Sequence, residues 1–457
     1  MNLKIMKVNV SISYPQKSRE FARFILSYGE QNVTEVALDV DYGQMYAFTG
    51  LQTGIAFDLF VIACISYGVD ILLPRLGVGY DGWSREIEIS YPVENVGVFT
   101  NGKLDLEQML NFLTGDVWTL SFEQRETTPL YIAGKRSKVC AASIRNSYKV
   151  VNLFSGGMDS LIGAIDHLSN STDRICLVSH TDSMFKGAKN DQLEILKLIG
   201  QKYNHFHHIP TRVNMEKRDL HGNKYAKETT LRSRSFLFLS MAILVADSID
   251  THMPVYIPEN GTISLNYPLT PSRRSSCSTR TTHPYFLNLM QKFLGVISLS
   301  HQIENKYQYC TKGEMVERCG DRELLLNTYG LSCSCGKRGT RKDIRDNGHV
   351  PHCGVCMPCV YRRAALHKIG ISEQVGTDIF RPKKRKIYEI PDMPALISFI
   401  RTNLSLNDIE KGLLVNGSLP IEHLREYANV VYRTRDEIKK WIRDEASIEL
   451  KREFGLC

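Results

Sequence analysis

Polar and apolar positions alternate over residues 84–93, with Ile87, Ile89 and Tyr91 on one face and Glu86, Glu88 and Ser90 on the other; this predicts a half-buried strand. Residues 104–113 place Leu106, Met109, Leu110 and Leu113 at helical spacing, and 117–122 alternate again. Residues 1–145 therefore read as a separate α/β unit without a recognisable catalytic constellation, a scaffold or partner-docking domain. The rhythm then changes. A short apolar run at 150–154 leads through a Gly-rich turn into an amphipathic helix over 160–168, and further short strands are predicted at 175–178, 206–209 and 254–257. Helices over 192–200 and 232–249 fall between them. Strands and helices alternating at this spacing predict an α/β fold with a doubly wound parallel sheet over residues 146–375, its ligand at the carboxyl ends of the strands. Residues 376–457 read as a helical C-terminal region carrying Leu396, Ile397, Ile400, Leu404, Trp441 and Ile442, behind a basic run at 381–386 that reads as a solvated linker.

The composition, 43% hydrophobic and 23% charged over 457 residues, is that of a globular chain of two or three domains with a substantial core. The longest apolar run, 59–69, lies between Asp58 and Asp70 and is shorter than a bilayer crossing requires, and the first residues lack the pattern of a signal peptide; a cytoplasmic protein without membrane contact is expected. The net charge of +8 favours anionic partners, but it is spread along the chain, so nucleic acid is not the favoured one.

Chemistry concentrates in two places. In Ser155-Gly156-Gly157-Met158-Asp159-Ser160, the glycines let the backbone turn tightly and bring its N–H groups to an anion, while the following helix points its positive end at the same spot. Ser155 and Ser160 add hydroxyl donors, and Asp159 orients the loop or holds Mg²⁺. The second place is a cysteine cluster. Of 12 cysteines, Cys353, Cys356 and Cys359 form a C-x₂-C-x₂-C run, with Cys333 nineteen intervening residues upstream. Four thiolates suit a closed tetrahedral Zn²⁺ site; a redox pair and an iron–sulfur cluster are the alternatives, and Cys335 is the alternative fourth ligand. Arg232 or Arg234, at the start of a long helix, and Arg273, Arg274, Arg280 and His283, beyond the fourth strand of this region, are candidates for neutralising phosphate or a substrate carboxylate.

The S-G-G-x-D-S loop resembles that of the PP-loop ATP pyrophosphatases and differs from the G-x-x-x-x-G-K-[ST] loop of γ-phosphate chemistry. Together with Ser332-Cys333, the run Cys353-Gly354-Val355-Cys356-Met357-Pro358-Cys359 and Arg362-Arg363, it is similar to the 7-cyano-7-deazaguanine synthase (QueC) family over residues 148–370. In place of that family's acidic stretch after the fourth strand stand Pro258-Glu259-Asn260-Gly261 and, further on, Ser278-Thr279-Arg280-Thr281-Thr282-His283-Pro284, which resemble the QueC-like proteins (QatC) of Qat anti-phage systems. The resemblance implies a PP-loop fold with an extra N-terminal domain, and ATP, Mg²⁺ and Zn²⁺ as cofactors. It implies an enzyme that adenylates 7-carboxy-7-deazaguanine, releasing pyrophosphate, and passes the acyl group to an amine, releasing AMP. For the defence relatives the amine belongs to a partner protein of the same operon; a housekeeping synthase using ammonia and a tRNA-modifying enzyme are the alternatives. The implied catalytic residues are Asp159, Ser160 and Arg234. ATP is implied at Ser155, Gly156, Gly157, Asp159 and Ser160, with the main chain of Val178, Ser179 and His180 reading adenine, substrate at Arg273, Arg280, Thr281 and His283, and metal at Cys333, Cys353, Cys356 and Cys359.

Overall fold

The computed structural model describes residues 5–29, 33–80, 82–133, 139–182, 188–269, 280–336, 350–381, 387–390 and 392–457. Its strands are β1 (Met6–Ser13), β2 (Arg23–Tyr28), β3 (Thr34–Asp41), β4 (Glu86–Val93), β5 (Val117–Gln124), β6 (Tyr148–Leu153), β7 (Arg174–Thr181), β8 (Phe206–Met215), β9 (Val255–Tyr256) and β10 (Ile303–Glu304). All belong to one sheet, in the order β10-β9-β6-β7-β8-β3-β2-β1-β4-β5. From β10 to β8 every pairing is parallel. β3 pairs antiparallel with β8 and β2, β2 antiparallel with β1, and β4 and β5 then follow β1 in parallel. The chain is thus an α/β protein with a large, mostly parallel central sheet.

The parallel half follows the predicted alternation of strand and helix. From β6 the chain steps outward to β7 and β8, then crosses to the other side for β9 and β10. The reversal leaves a crevice at the carboxyl ends of β6 and β9, where open α/β sheets take their ligands.

The first 145 residues do not form a separate unit. Leu38 and Val40 of β3 lie opposite Met215 and Val213 of β8, and one hydrophobic core runs from Met6 to Leu299 across this junction. The cue is in β3: positions 36–40 are all buried, whereas β4, which does alternate, has partly exposed glutamates. The helix Ile55–Leu72 packs beside Arg234–Asp247 within this core. By length and composition Ile55–Leu72 could cross a membrane, but it is buried on all sides and serves as a core helix, with Asp58 and Asp70 inside the protein. Backbone N–H groups of Glu94 and Asn95 satisfy Asp58. Asp70 joins a sealed network, with Arg85 at 2.6 Å from both Asp70 and Asp116, and Arg75 bonded to Asp116 at 2.5 Å.

The sheet edge at β5 is closed by the helix Lys103–Thr114. Asn111 accepts from the Trp118 N–H and Glu107 from the Leu120 N–H, which blunts a strand that would otherwise recruit another chain. At the other end, the C-terminal helices Met393–Arg401, Leu406–Leu414 and Ile421–Glu445 build a core of their own that takes in Cys353, Cys356 and Cys359. The Ile421–Glu445 helix reaches the switch-point side of the molecule: Arg433 binds Glu314 at 2.7 Å, and Thr311 donates to Glu437.

Candidate active site

The loop after β6 turns on Gly156, whose φ of +81° lies in the left-handed region that glycine accepts without strain. The helix Met158–Asn170 begins with Gly157 at its N-cap, and its first turn leaves N–H groups without intrahelical partners. The loop is internally braced: Ser155 Oγ accepts from the Gly157 N–H at 3.2 Å, Ser160 Oγ donates to the Gly157 carbonyl at 3.0 Å, and the two hydroxyls lie 3.2 Å apart. Gln192 donates to the Ser155 carbonyl from the neighbouring helix Ala188–Lys202. One turn on, Gly163 permits close approach to the segment that follows β9, since a Cβ there would stand 2.3 Å from Pro258.

Asp159 is buried and held from two directions. Lys312 Nζ lies 2.5 Å from its Oδ1, and Asn260 Nδ2 donates to its Oδ2 at 2.8 Å. Burial works against the charge on Asp159, and the Lys312 ammonium with hydrogen bonds from Glu259, Lys312 and Asn260 outweighs it, leaving the pKa below the ordinary carboxylate value. Glu259 goes the other way, pushed well up by burial and then by the Asp159 charge beside it. Lys312 opens the helix Lys312–Glu317 behind a capping box of Thr311 and Glu314, so it stands at a fixed helix start. Ser155, Gly157, Met158, Asp159, Ser160, Pro258, Glu259, Lys312, Cys333, Ser334 and Cys335 line a cavity of about 250 Å³. This arrangement, with helix N-terminal amides, hydroxyls and one ammonium facing a small cavity, suits a polyphosphate. The adjacent Asp159 and Glu259 carboxyls supply the hard oxygen donors that fit Mg²⁺.

Cys335, in the wall of the same cavity, joins Cys353, Cys356 and Cys359 in a four-cysteine cluster that takes it rather than Cys333. The sulfurs of Cys335, Cys353, Cys356 and Cys359 all lie within 4.8 Å of one another. Separations of 3.4, 3.8 and 4.0 Å among them bracket the ~3.8 Å edge of a tetrahedron with Zn–S bonds of about 2.3 Å, so the four thiols fit a metal ion such as zinc. Backbone N–H groups of Val355 and Cys356 point at Cys353 Sγ, and that of Cys353 at Cys335 Sγ, as amides do around thiolates. Gly354 makes this turn possible: its φ is +80°, and a Cβ there would stand 2.2 Å from the Thr377 carbonyl. Cys333 is excluded because its own N–H is tied to the Gly156 carbonyl at 3.0 Å, with its thiol directed to the Pro351 carbonyl and raised by burial to a pKa of about 11.

Several sequence candidates lie elsewhere. Val178, Ser179 and His180 sit at the carboxyl end of β7 with buried side chains. Ser179 donates to the Phe154 carbonyl, and His180 is enclosed by Tyr67 and Phe238, its pKa lowered to about 3 by burial and then by Arg234. Arg234 stacks over Phe238 near Tyr67 and Asp182, and Arg232 donates to the Thr114 carbonyl and stacks over Trp83. Arg280 donates to the Phe112 carbonyl and lies over that ring, Thr281 is in the adjoining turn, and His283 caps the helix Pro284–Val296. Burial, then Arg280, lowers the His283 pKa to about 3. None of these lines the cavity at Asp159. Arg273, Arg274 and the 270–279 stretch lie outside the described residues.

Sequence reasoning missed Lys312, Asn260 and the pairing of Glu259 with Asp159. A signal for Lys312 was present: Thr311-Lys312-Gly313-Glu314 reads as a capping box, placing a lysine at a helix start after β10. Set against families of known proteins, against curated proteins and against solved structures, the chain matches none.

Proposed function

We propose that this chain is an ATP pyrophosphatase of the PP-loop type, using ATP to adenylate the carboxylate of a 7-deazaguanine and passing the acyl group to an amine on a partner protein in anti-phage defence. The observation that carries the first step is the Ser155–Ser160 loop at the sheet's switch point, facing Lys312 across a cavity of about 250 Å³. The first-turn amides, Ser155 and Ser160 would hold the phosphates, and Lys312 would neutralise them, exchanging its present contact with Asp159 for the nucleotide's charge. Asp159 and Glu259 would hold Mg²⁺, which when bound screens charge on the phosphates. The loop contains no lysine of the kind that serves γ-phosphate transfer. The substrate carboxylate attacks the α-phosphorus and pyrophosphate leaves; the amine then attacks the acyl carbon, giving up a proton, and AMP leaves.

The protein acceptor is supported by the Pro258-Glu259-Asn260-Gly261 segment that replaces the family's acidic stretch, with Asn260 turned onto Asp159. The N-terminal half is fused to the catalytic half by the β3–β8 pairing, so a partner would meet one continuous body. Holding the amine beside the adenylate is what lets its attack outrun water. The test is the intact mass of the candidate partner after incubation with this protein, ATP and 7-carboxy-7-deazaguanine. A covalent adduct that disappears with Asp159→Ala is expected; free 7-cyano-7-deazaguanine beside an unmodified partner would replace this reading with the synthase one.

A further inference from the structure

The segment 332–336 touches both chemical centres. At its start, Ser332 Oγ accepts from Arg362 at 2.9 Å, and Arg362, fully buried, also grips the Tyr329 carbonyl and Glu373. The Cys333 N–H donates to the Gly156 carbonyl at 3.0 Å, fixing the residue on which the phosphate loop turns. Ser334 Oγ reaches the Met158 N–H at 3.5 Å, at the first residue of the loop's helix, and the Ser334 N–H donates to His352 Nε2 at 3.3 Å. His352 directly precedes Cys353, and its Nδ1 lies 3.6 Å from Glu373. Cys335 then enters the four-sulfur cluster. Within three consecutive residues the chain binds the phosphate loop twice and contributes one metal ligand.

We infer that the 332–336 segment is a strap through which the metal centre sets the geometry of the phosphate loop, with Ser334 as the positioning residue. A metal ion at the four thiols fixes Cys335, and the short covalent path back to Ser334 and Cys333 leaves both their contacts with the loop little freedom. Without the ion, the four clustered thiols, three of them buried, have no common partner, the segment loosens, and Gly156 and Met158 lose the bonds that hold the loop in its anion-accepting shape. The metal thus serves nucleotide binding as well as local folding. The inference deepens the proposed ATP reading and rests on it for the identity of the ligand alone.

The experiment uses the full-length zinc-loaded protein, the same protein after chelation, and loaded Ser334→Ala and Ser334→Thr. Amide hydrogen exchange is followed over residues 155–160 and, as a control for global unfolding, over Arg234–Asp247; zinc content and ATP affinity are measured in parallel. Chelation is expected to speed exchange at 155–160 at least tenfold while Arg234–Asp247 stays protected. Ser334→Ala is expected to keep its zinc and bind ATP about three- to tenfold more weakly, in the range of one hydrogen bond, with Ser334→Thr restoring most of the affinity. Exchange at 155–160 unchanged by chelation, or Ser334→Ala binding ATP as wild type does, would overturn the strap. Failure of the loaded wild-type protein to bind ATP would refute the nucleotide reading, and the exchange comparison would still decide the coupling.

Discussion

Two buried clusters of carboxyl and cationic side chains in this protein serve opposite ends. In the N-terminal half, Asp70 and Asp116 are bonded to Arg75 and Arg85, all four almost without solvent exposure. Burial works against the charge on Asp70, and Arg85 and Arg75 outweigh it. Ser233 at the head of the Arg234–Asp247 helix joins through its N–H and hydroxyl, so the network locks the N-terminal residues to the part of the chain that carries the Ser155–Ser160 loop. At the switch point, Asp159, Glu259 and Lys312 are as crowded, but two carboxyls share one ammonium and the cluster opens into a cavity. A network whose charges are matched by planar, forked guanidiniums is built to stay closed; one that leaves a carboxyl pushed towards neutrality beside a cavity is built to take a ligand.

The largest effect is expected where the closed network is broken. Arg85→Ala leaves two buried aspartates short of a partner, and a loss of about 3–5 kcal/mol is expected in denaturant unfolding. Lys312→Met should behave differently, because Asp159 can draw water from the cavity: ATP turnover should fall about 100-fold, with a smaller shift in unfolding midpoint than Arg85→Ala. Equal loss of stability in the two variants would erase the distinction between the clusters.

The metal ligands can be separated by measuring zinc per chain. Cys335→Ser should lose the ion, whereas Cys333→Ser should keep it, since its thiol contacts the Pro351 carbonyl instead of the cluster. The reverse pattern would return Cys333 to the ligand set.

A smaller effect separates core histidines from site histidines. The fold holds His283 at a pKa of about 3, chiefly by burial, against about 6.5 for an unfolded chain. Because the folded pKa is depressed, the stability it contributes is complete above about pH 6.5 and is lost as the pH falls towards 3. His283→Asn keeps an N-cap acceptor and removes this titration. Below pH 6.5, unfolding free energy should lose up to about 1.4 kcal/mol per pH unit of its pH dependence, with ATP turnover at pH 7.5 within about threefold of wild type. A turnover loss beyond tenfold in a stable variant would bring His283 into the site.

These contrasts follow what was legible in the chain. The tight turn after β6 and the alternation of β6 to β9 with their helices were readable because the signals are local: a Gly-Gly turn between an apolar run and an amphipathic helix. Three metal ligands were readable from spacing alone, but the fourth was decided by the Cys333 N–H bond to Gly156, a contact between distant segments. Lys312 lies 153 positions from Asp159, so their pairing has no local trace beyond the helix start that places the lysine. A polar residue near an expected turn looks functional, and His283 was such a candidate; its side chain is buried and caps the helix Pro284–Val296. The N-terminal half looked separate because β4 and β5 alternate like an independent sheet, while the joint lies in β3, whose buried run 36–40 includes Asp39.

The most direct test of the central claim is the identity of the nucleotide products. The zinc-loaded protein, incubated with α-labelled ATP, Mg²⁺, 7-carboxy-7-deazaguanine and the candidate partner that supplies the amine, should release AMP and pyrophosphate in equal amounts, with none from Asp159→Ala. ADP and inorganic phosphate as the products would contradict the account.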